Sequence, residues 1–420
     1  MNKIVQQNIA PAVTFSNIQD DRFKTVKISA TMFLPLIKET VAANAILPML
    51  LTRSCKEYPD ATSLNRKLNN LYGADISGYS RKMGESIALT VSISAIDDRY
   101  TMNNEKLSGE LVHLLCSMLF NPKVENGRFC DSDFAQEKRQ LIDAIDAEFN
   151  EKRVYAANRC GEIMFENEAF GIRRYGSKEA VESLTASEAF TAWENMLSTA
   201  RVELMMIGSC DSTEALQAFT RAFSNINRIP VSISTVTKKN VDKVKTVTEE
   251  MDVAQCKLFM GFRTGAAEPD DTMAMRLAVA ILGGTPNSKL FLNVREKYSL
   301  CYYCGSRYDR IKGIVTVDSG VEKENIDKAK QEILNQLQLL KNGELTDFEI
   351  QSTKMSIANS FNSMSDTISG TEGWYLSQMM DSTLQSPAQA TEAMNAVTKD
   401  EIIKAAQTIV LDTVYVLASK

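Results

Sequence analysis

Three pairs of apolar residues, Leu64 and Leu290, Leu89 and Val315, and Val91 and Val317, share one common offset in a chain of 420 residues. Strand side chains alternate with period two, so pairs that keep one offset present their apolar faces in phase. A second echo closes each half: Ser183-Leu-Thr-Ala-Ser-Glu188 and Ala396-Val-Thr-Lys-Asp-Glu401 both contain Thr-x-x-Glu. In such a box the Thr and Glu side chains satisfy amides at a helix N-terminus. Each box opens a predicted helix that leads into an apolar strand, Val202 to Ile207 in one half and Val414 to Leu417 in the other. The boxes are separated by a shorter offset than the earlier pairs, so the halves carry unequal insertions. The pattern predicts duplicated α+β domains of about 200 residues each. Their expected bounds are 1–229 and 250–420, with a linker over 230–249 that begins at Ile229-Pro230 and continues through the charged, stripe-free run Val236 to Thr246.

Val26, Ile28, Ala30 and Met32 alternate with Lys27, Ser29 and Thr31, which reads as a strand with one buried face. The turn residues Asn17-Ile-Gln-Asp-Asp21 ahead of it predict a hairpin. Ile87, Leu89, Val91, Ile93 and Ala95 repeat the alternation, and long helical stretches cover 106–120 and 132–166. Each half is therefore expected to be a mostly antiparallel sheet with helices packed on one face.

The chain carries 47 basic and 53 acidic residues, a formal net charge of −6. Nucleic acid is not an expected partner, because phosphate neutralisation needs a cationic surplus. The first ten residues lack the apolar core of a secretion signal, and no run is long enough to span a bilayer. Eight scattered cysteines do not resemble a disulfide framework, so a cytoplasmic protein with reduced thiols, away from membranes, is expected.

The single histidine, His113, limits the chemistry most, since zinc enzymes usually use two or three imidazoles and catalytic triads usually one as a base. Leu107, Leu111, Leu115 and Met118 surround it at helical spacing, which makes it a helix-flank residue. Cys301-Tyr-Tyr-Cys304 forms a CxxC, but it follows a helix and enters a strand, where positions three apart face opposite sides. Leu282-Gly-Gly-Thr-Pro-Asn-Ser288 matches no phosphate-cradle pattern, so Gly283 reads as a left-handed cap closing the helix from Met273, with the next helix starting near Ser288. Arg295 ends that helix and Tyr302 opens the following strand. A guanidinium and a phenol at one helix–strand corner are suitable donors for a peptide carbonyl. A surface ion pair for Arg295 and core packing for Tyr302 fit the spacing equally well.

The segment from Leu282 to Tyr302, with Arg295-Glu-Lys-Tyr-Ser-Leu-Cys-Tyr302, resembles the glycine-turn and R-E-K-x-x-L-x-Y signature of the pitrilysin/insulinase family of zinc metallopeptidases. Leu71-Tyr-Gly-Ala74 and Met260-Gly-Phe-Arg-Thr-Gly265 extend the likeness, which runs through both halves and is closest to a small bacterial two-domain branch. In that family the Arg and Tyr of the signature bind substrate across a cleft from a partner domain's zinc, which implies the same role for Arg295 and Tyr302. The catalytic half carries H-x-x-E-H, two imidazole ligands with a Glu base, and a carboxylate ligand on a later helix. Here Asn44 and Pro48 stand at the histidine positions, Leu47 at the base, and Ala144, beside Asp143, at the later ligand.

The resemblance thus implies no catalytic residue and no bound metal in this chain. It implies a catalytically deficient subunit that contributes Arg295 and Tyr302 to a zinc site on an H-x-x-E-H paralogue, with peptide as substrate and zinc only on that partner. Pairing with a second copy of itself stays open. The alternative is a non-catalytic scaffold or peptide-binding module, the role that family members without zinc motifs serve as core subunits of the respiratory bc1 complex.

Overall fold

The computed structural model describes residues 3–265, 272–379 and 384–420. Two compact units divide the chain. The first gathers Met1–Ile145, Ile172–Ser234 and Met364–Leu384, and the second gathers Asp146–Gly171, Thr235–Ser363 and Gln385–Lys420. Each half of the sequence therefore lends one segment to the other half's unit, which no local sequence signal foretold. The change from first to second unit at Ser234/Thr235 falls inside the expected linker, although residues 245–249 of that span are already strand.

The first unit holds β1 (Lys3–Ala10), β2 (Val13–Gln19), β3 (Thr25–Pro35), β4 (Asp75–Met83), β5 (Ser86–Ile96), the ribbon β6 (Val124–Glu125) and β7 (Arg128–Phe129), and β8 (Arg201–Gly208). The second holds β9 (Lys245–Met251), β10 (Cys256–Arg263), β11 (Cys301–Asp309), β12 (Ile314–Val321) and β13 (Val410–Ser419). The sheet orders are β1-β2-β8-β3-β5-β4 and β11-β12-β10-β13-β9. Read from β4, the first becomes β4-β5-β3-β8-β2-β1, whose first five strands repeat the arrangement of the second, with β1 added. β2 runs parallel to β8 as β9 does to β13, and every other pairing is antiparallel. The offset relating Leu64 to Leu290 carries both ends of β4 onto those of β11. Both Thr-x-x-Glu boxes form: Thr185 accepts from the Glu188 amide and Thr398 from the Glu401 amide, with each Glu returning to its Thr.

The expected hairpin at Asn17–Asp21 is not formed. Asn17, Ile18 and Gln19 complete β2, and β8 lies between β2 and β3. Turn residues mark where a strand stops, whereas the neighbour is chosen by apolar complementarity, here with Val202, Leu204 and Met206 of β8. The tight hairpin lies earlier, joining β1 to β2 through Pro11 and Ala12, with Ala12 at φ +54°.

β3 and β5 are also buried on both faces rather than one. Val26, Ile28, Ala30 and Met32 meet Ile87, Leu89, Val91 and Ile93 in the core. The opposite face is polar yet dry. Thr31 and Thr90 share a hydroxyl hydrogen bond of 2.9 Å, as do Ser77 and Ser92, and Lys27 donates to Glu372 at 2.6 Å. Glu372 belongs to the lent helix Ile368–Leu376, which contacts β3 and β8. Alternation predicted the polarity of that face but not the cover.

The stretch 132–166 is two helices, Asp131–Asn150 and Lys152–Met164, because Glu151 leaves helical geometry and its carboxylate accepts from the Arg153 amide. The second of these lies on β10 and β13, where Ala156 and Cys160 pack with Phe259, Tyr415 and Leu417. The other face of that sheet receives the helix Thr272–Val279: Met260, Val317 and Ser306 are cross-strand partners there, and Ser306 donates to the Val279 carbonyl at 2.7 Å. Helices thus gather on one face of each sheet, as expected, and the lent helix adds a cover to the second. Among the described residues no helix is long and apolar enough to cross a membrane.

Candidate functional site

Two places bear on function, one in each unit. In the first, Asn44 lies in the short helix Val41–Ala45, while Leu47 and Pro48 begin Leu47–Arg53. Proline lacks the N–H that a continuous helix would direct at residue 44, so the two helices abut instead of merging. Asn44 is buried with its Oδ1 lacking a hydrogen-bond partner, and Leu47 is fully buried. Gly78 of β4 packs so tightly on this turn that an added Cβ would lie 2.3 Å from the Pro48 carbonyl oxygen. Ala144 is half-buried and Asp143 exposed on the helix Asp131–Asn150. An amide, two apolar side chains and an alanine supply no zinc donor set, so these residues do not fit the metal. Among the described residues no group of three or more His, Cys, Asp or Glu stands together to hold one.

The same two elements are joined by a guanidinium. Arg53 donates to Asp133 at 3.1 Å, to Glu137 at 2.9 Å and to Gln136 at 2.6 Å, and Ser54 donates to Asp133 at 2.9 Å. Burial raises the Glu137 carboxyl above its ordinary value, opposed by Arg53. Sequence reading missed this cluster, although acids at i and i+4 on one helix signal a waiting cation. Replacing Arg53 with Ala leaves Glu137 buried without its cation, and we expect a loss of about 2 kcal/mol in urea unfolding, largely restored by adding Glu137→Gln. An unchanged midpoint would deny the cluster a structural role.

Beside it opens a groove of about 800 Å³, lined by Arg53, Asn65, Asn69, Asp75, Gln140 and Gly78 among others. β4 is the last strand of its sheet and borders this groove, so its outer backbone edge pairs with no other strand among the described residues.

In the second unit the glycine turn differs from expectation. The helix continues past Val279 as a π-helical turn, Ala280–Gly284, and Gly283 has φ −157°, not a left-handed cap. Glycine is required there by proximity: a Cβ would stand 2.7 Å from the Ser306 amide and 2.8 Å from Leu290. The following helix, Leu290–Lys297, is π-wound and packs along β11. Arg295 lies in its last turn, 41 % exposed, stacked over Phe291 at 4.7 Å and 3.6 Å from Glu296. Tyr302 is 60 % exposed and donates its hydroxyl to Glu322, so core packing is not its role. Glu322 pushes the Tyr302 phenol above its ordinary value.

Tyr302 occupies a bulge. Cys301 pairs with Val321 and Tyr303 with Gly320, leaving Tyr302 as the extra residue. The bulge shifts the strand's phase, so Cys301 and Cys304 face the same side, contrary to the expectation from regular alternation. His113 sits on the flank of Leu107–Phe120, 64 % exposed and 3.7 Å from Glu57, in no constellation of catalytic groups.

A further group was only partly legible. Arg263, within Met260-Gly-Phe-Arg-Thr-Gly265, donates to Glu168 at 2.8 Å and to Asp412 at 2.5 Å, and Lys312, wholly buried, donates to Glu168 at 2.6 Å. Hydrogen bonds from Arg263 and Lys312 overcome desolvation by burial and hold the Glu168 carboxyl down at about 2. This network ties the lent segment to β10, β13 and the β11–β12 turn; it is structural.

Two sheets of one strand arrangement, each with helices gathered on a face, define a duplicated α+β protein. The family model described as Peptidase M16 inactive domain matches residues 183–357. The chain is 32% identical over 402 residues, 95% of this chain and 94% of the relative, to the probable inactive metalloprotease YmfF of Bacillus subtilis (strain 168). It belongs to the M16 peptidase family. Among solved structures, a conserved protein from Enterococcus faecalis V583 superposes with TM-score 0.91 at 25% identity, covering 99% of both chains. The peptidase M16 inactive domain from Pseudomonas fluorescens gives 0.81 at 14% identity over 99% of this chain and 98% of that one. A chain of Complex III2 from Candida albicans gives 0.74 at 12% identity over 99% and 96%. The last two likenesses show the fold alone.

Proposed function

We propose that this chain is the catalytically deficient subunit of a heterodimeric zinc peptidase, cytoplasmic, contributing Arg295 and Tyr302 to peptide bound at the zinc of an H-x-x-E-H paralogue. The observation that carries the reading is that Tyr302 stands exposed and Arg295 partly exposed at one helix–strand corner, outside the core, while the positions matched to the family's metal ligands hold an amide and apolar groups. Arg295 offers a planar donor fork and Tyr302 a hydroxyl, suited to a peptide carbonyl and to the oxyanion that develops on it. Bound peptide would take the place of Glu322 on Tyr302. The groove beside the edge strand β4 adds a surface where an extended peptide finds main-chain partners.

The test is zinc content and cleavage of a quenched peptide library, for the purified chain alone and then mixed with the paralogue. Activity only in the mixture supports the divided site. Metal-dependent cleavage by this chain alone would overturn it. The second reading, a scaffold or peptide-binding module, is favoured by the fold shared with a chain of Complex III2; stable association without any cleavage would support it.

A further inference from the structure

We propose that Cys301 and Cys304 form a reversible dithiol–disulfide couple that clamps the bulge carrying Tyr302. In a regular strand a CxxC cannot close, because its two side chains leave opposite faces. The extra residue at Tyr302 removes that obstacle. Cys301 lies opposite Val321, Cys304 opposite Ser319 and Ser306 opposite Val317, and these three β12 residues alternate along one face. Each thiol is the strongest influence on the other's proton affinity, and both feel Ser319. All eight cysteines are free thiols, and this pair is brought together by a backbone irregularity within β11.

The partners are also unequal, as a two-step exchange requires. Cys301 is half-buried and its thiol is lowered, chiefly by the neighbouring Cys304, with Arg295 adding attraction. Cys304 is 7% exposed and its thiol is raised well above the ordinary value. Cys301, the more accessible of the two, is therefore the attacking thiol and Cys304 the resolving one. With a small disulfide such as oxidised glutathione, the Cys301 thiolate breaks the S–S bond, forms a mixed disulfide and releases one glutathione thiolate. Cys304, losing its proton, then attacks the Cys301 sulfur, and the second glutathione leaves as thiolate. The cysteine pair is oxidised by two electrons, the glutathione disulfide is reduced by two, and the two thiol protons end on the two glutathiones at low pH or in solvent.

The covalent couple stands apart from the peptide-binding reading, because a mass readout alone decides it. The folded chain is equilibrated in mixtures of oxidised and reduced glutathione, the free thiols are blocked, and the protein is digested and weighed. The expected product is a peptide containing residues 301–304 that has lost two hydrogens, regenerated to the dithiol as reduced glutathione is increased. Cys304→Ser is expected to trap glutathione on Cys301, while Cys301→Ser leaves Cys304 unmodified; circular dichroism checks that both variants fold. Iodoacetamide at pH 7 is expected to modify Cys301 about tenfold faster than Cys116 or Cys160, whose thiols burial pushes to about 12. A persistent glutathione adduct on wild-type Cys301, or no internal disulfide at any ratio, would overturn the couple.

Discussion

Replacing Glu168 with Gln is expected to lower stability at pH 7 by about 3 kcal/mol, because it removes the shared anion between Arg263 and the wholly buried Lys312. Glu168 is only 6 % exposed, so solvent screens the loss little. The sign with pH follows from its folded value of about 2, below the ordinary 4.5. A carboxyl depressed on folding contributes stability that is fully present above its unfolded value and lost as pH falls through the folded one. The wild-type chain should therefore lose stability between about pH 4.5 and pH 2 more steeply than the variant, since Gln mimics the protonated acid. Urea unfolding followed by circular dichroism at pH 7, 4 and 3 checks this. Equal midpoints at pH 7 would deny the Glu168 network a stabilising role.

The second large effect is on turnover. Arg295→Ala combined with Tyr302→Ala is expected to reduce peptide cleavage by the mixture with an H-x-x-E-H paralogue by about a hundredfold or more, the scale for removing an oxyanion donor. Both side chains lie outside the core, so the double variant should keep its unfolding midpoint within about 0.5 kcal/mol and still co-elute with the partner. Arg295→Lys should recover only part of the rate, because an ammonium does not reproduce the planar fork. Tyr302→Phe isolates the hydroxyl that Glu322 accepts. Full cleavage by the double variant would favour the scaffold reading.

Much of the architecture was written in spacing. Offsets among Leu64, Leu89, Val91 and their echoes found the duplication, and two capping boxes found equivalent helices, because in-phase alternation and local amide satisfaction are short-range rules. The expectation that this chain holds no metal rested on one histidine and on Asn44, Leu47 and Pro48, residue types that are read without coordinates. Asp133 and Glu137, one helical turn apart, signalled a cation, but that it is Arg53 was not legible, because Arg53 lies some eighty positions away.

By itself, then, the sequence determined the duplicated α+β plan and the family. Only the tertiary structure decided which strands are neighbours, that each half lends a helix to the other's sheet, and that a polar strand face is buried under Ile368–Leu376. It also decided that one extra residue at Tyr302 turns Cys301 and Cys304 to the same side. The physical reason is common to all of these. Periodicity fixes which way a side chain points along its own element, whereas what covers that side chain depends on residues far away in sequence, whose closure is favoured only once the assembled core removes apolar surface from water.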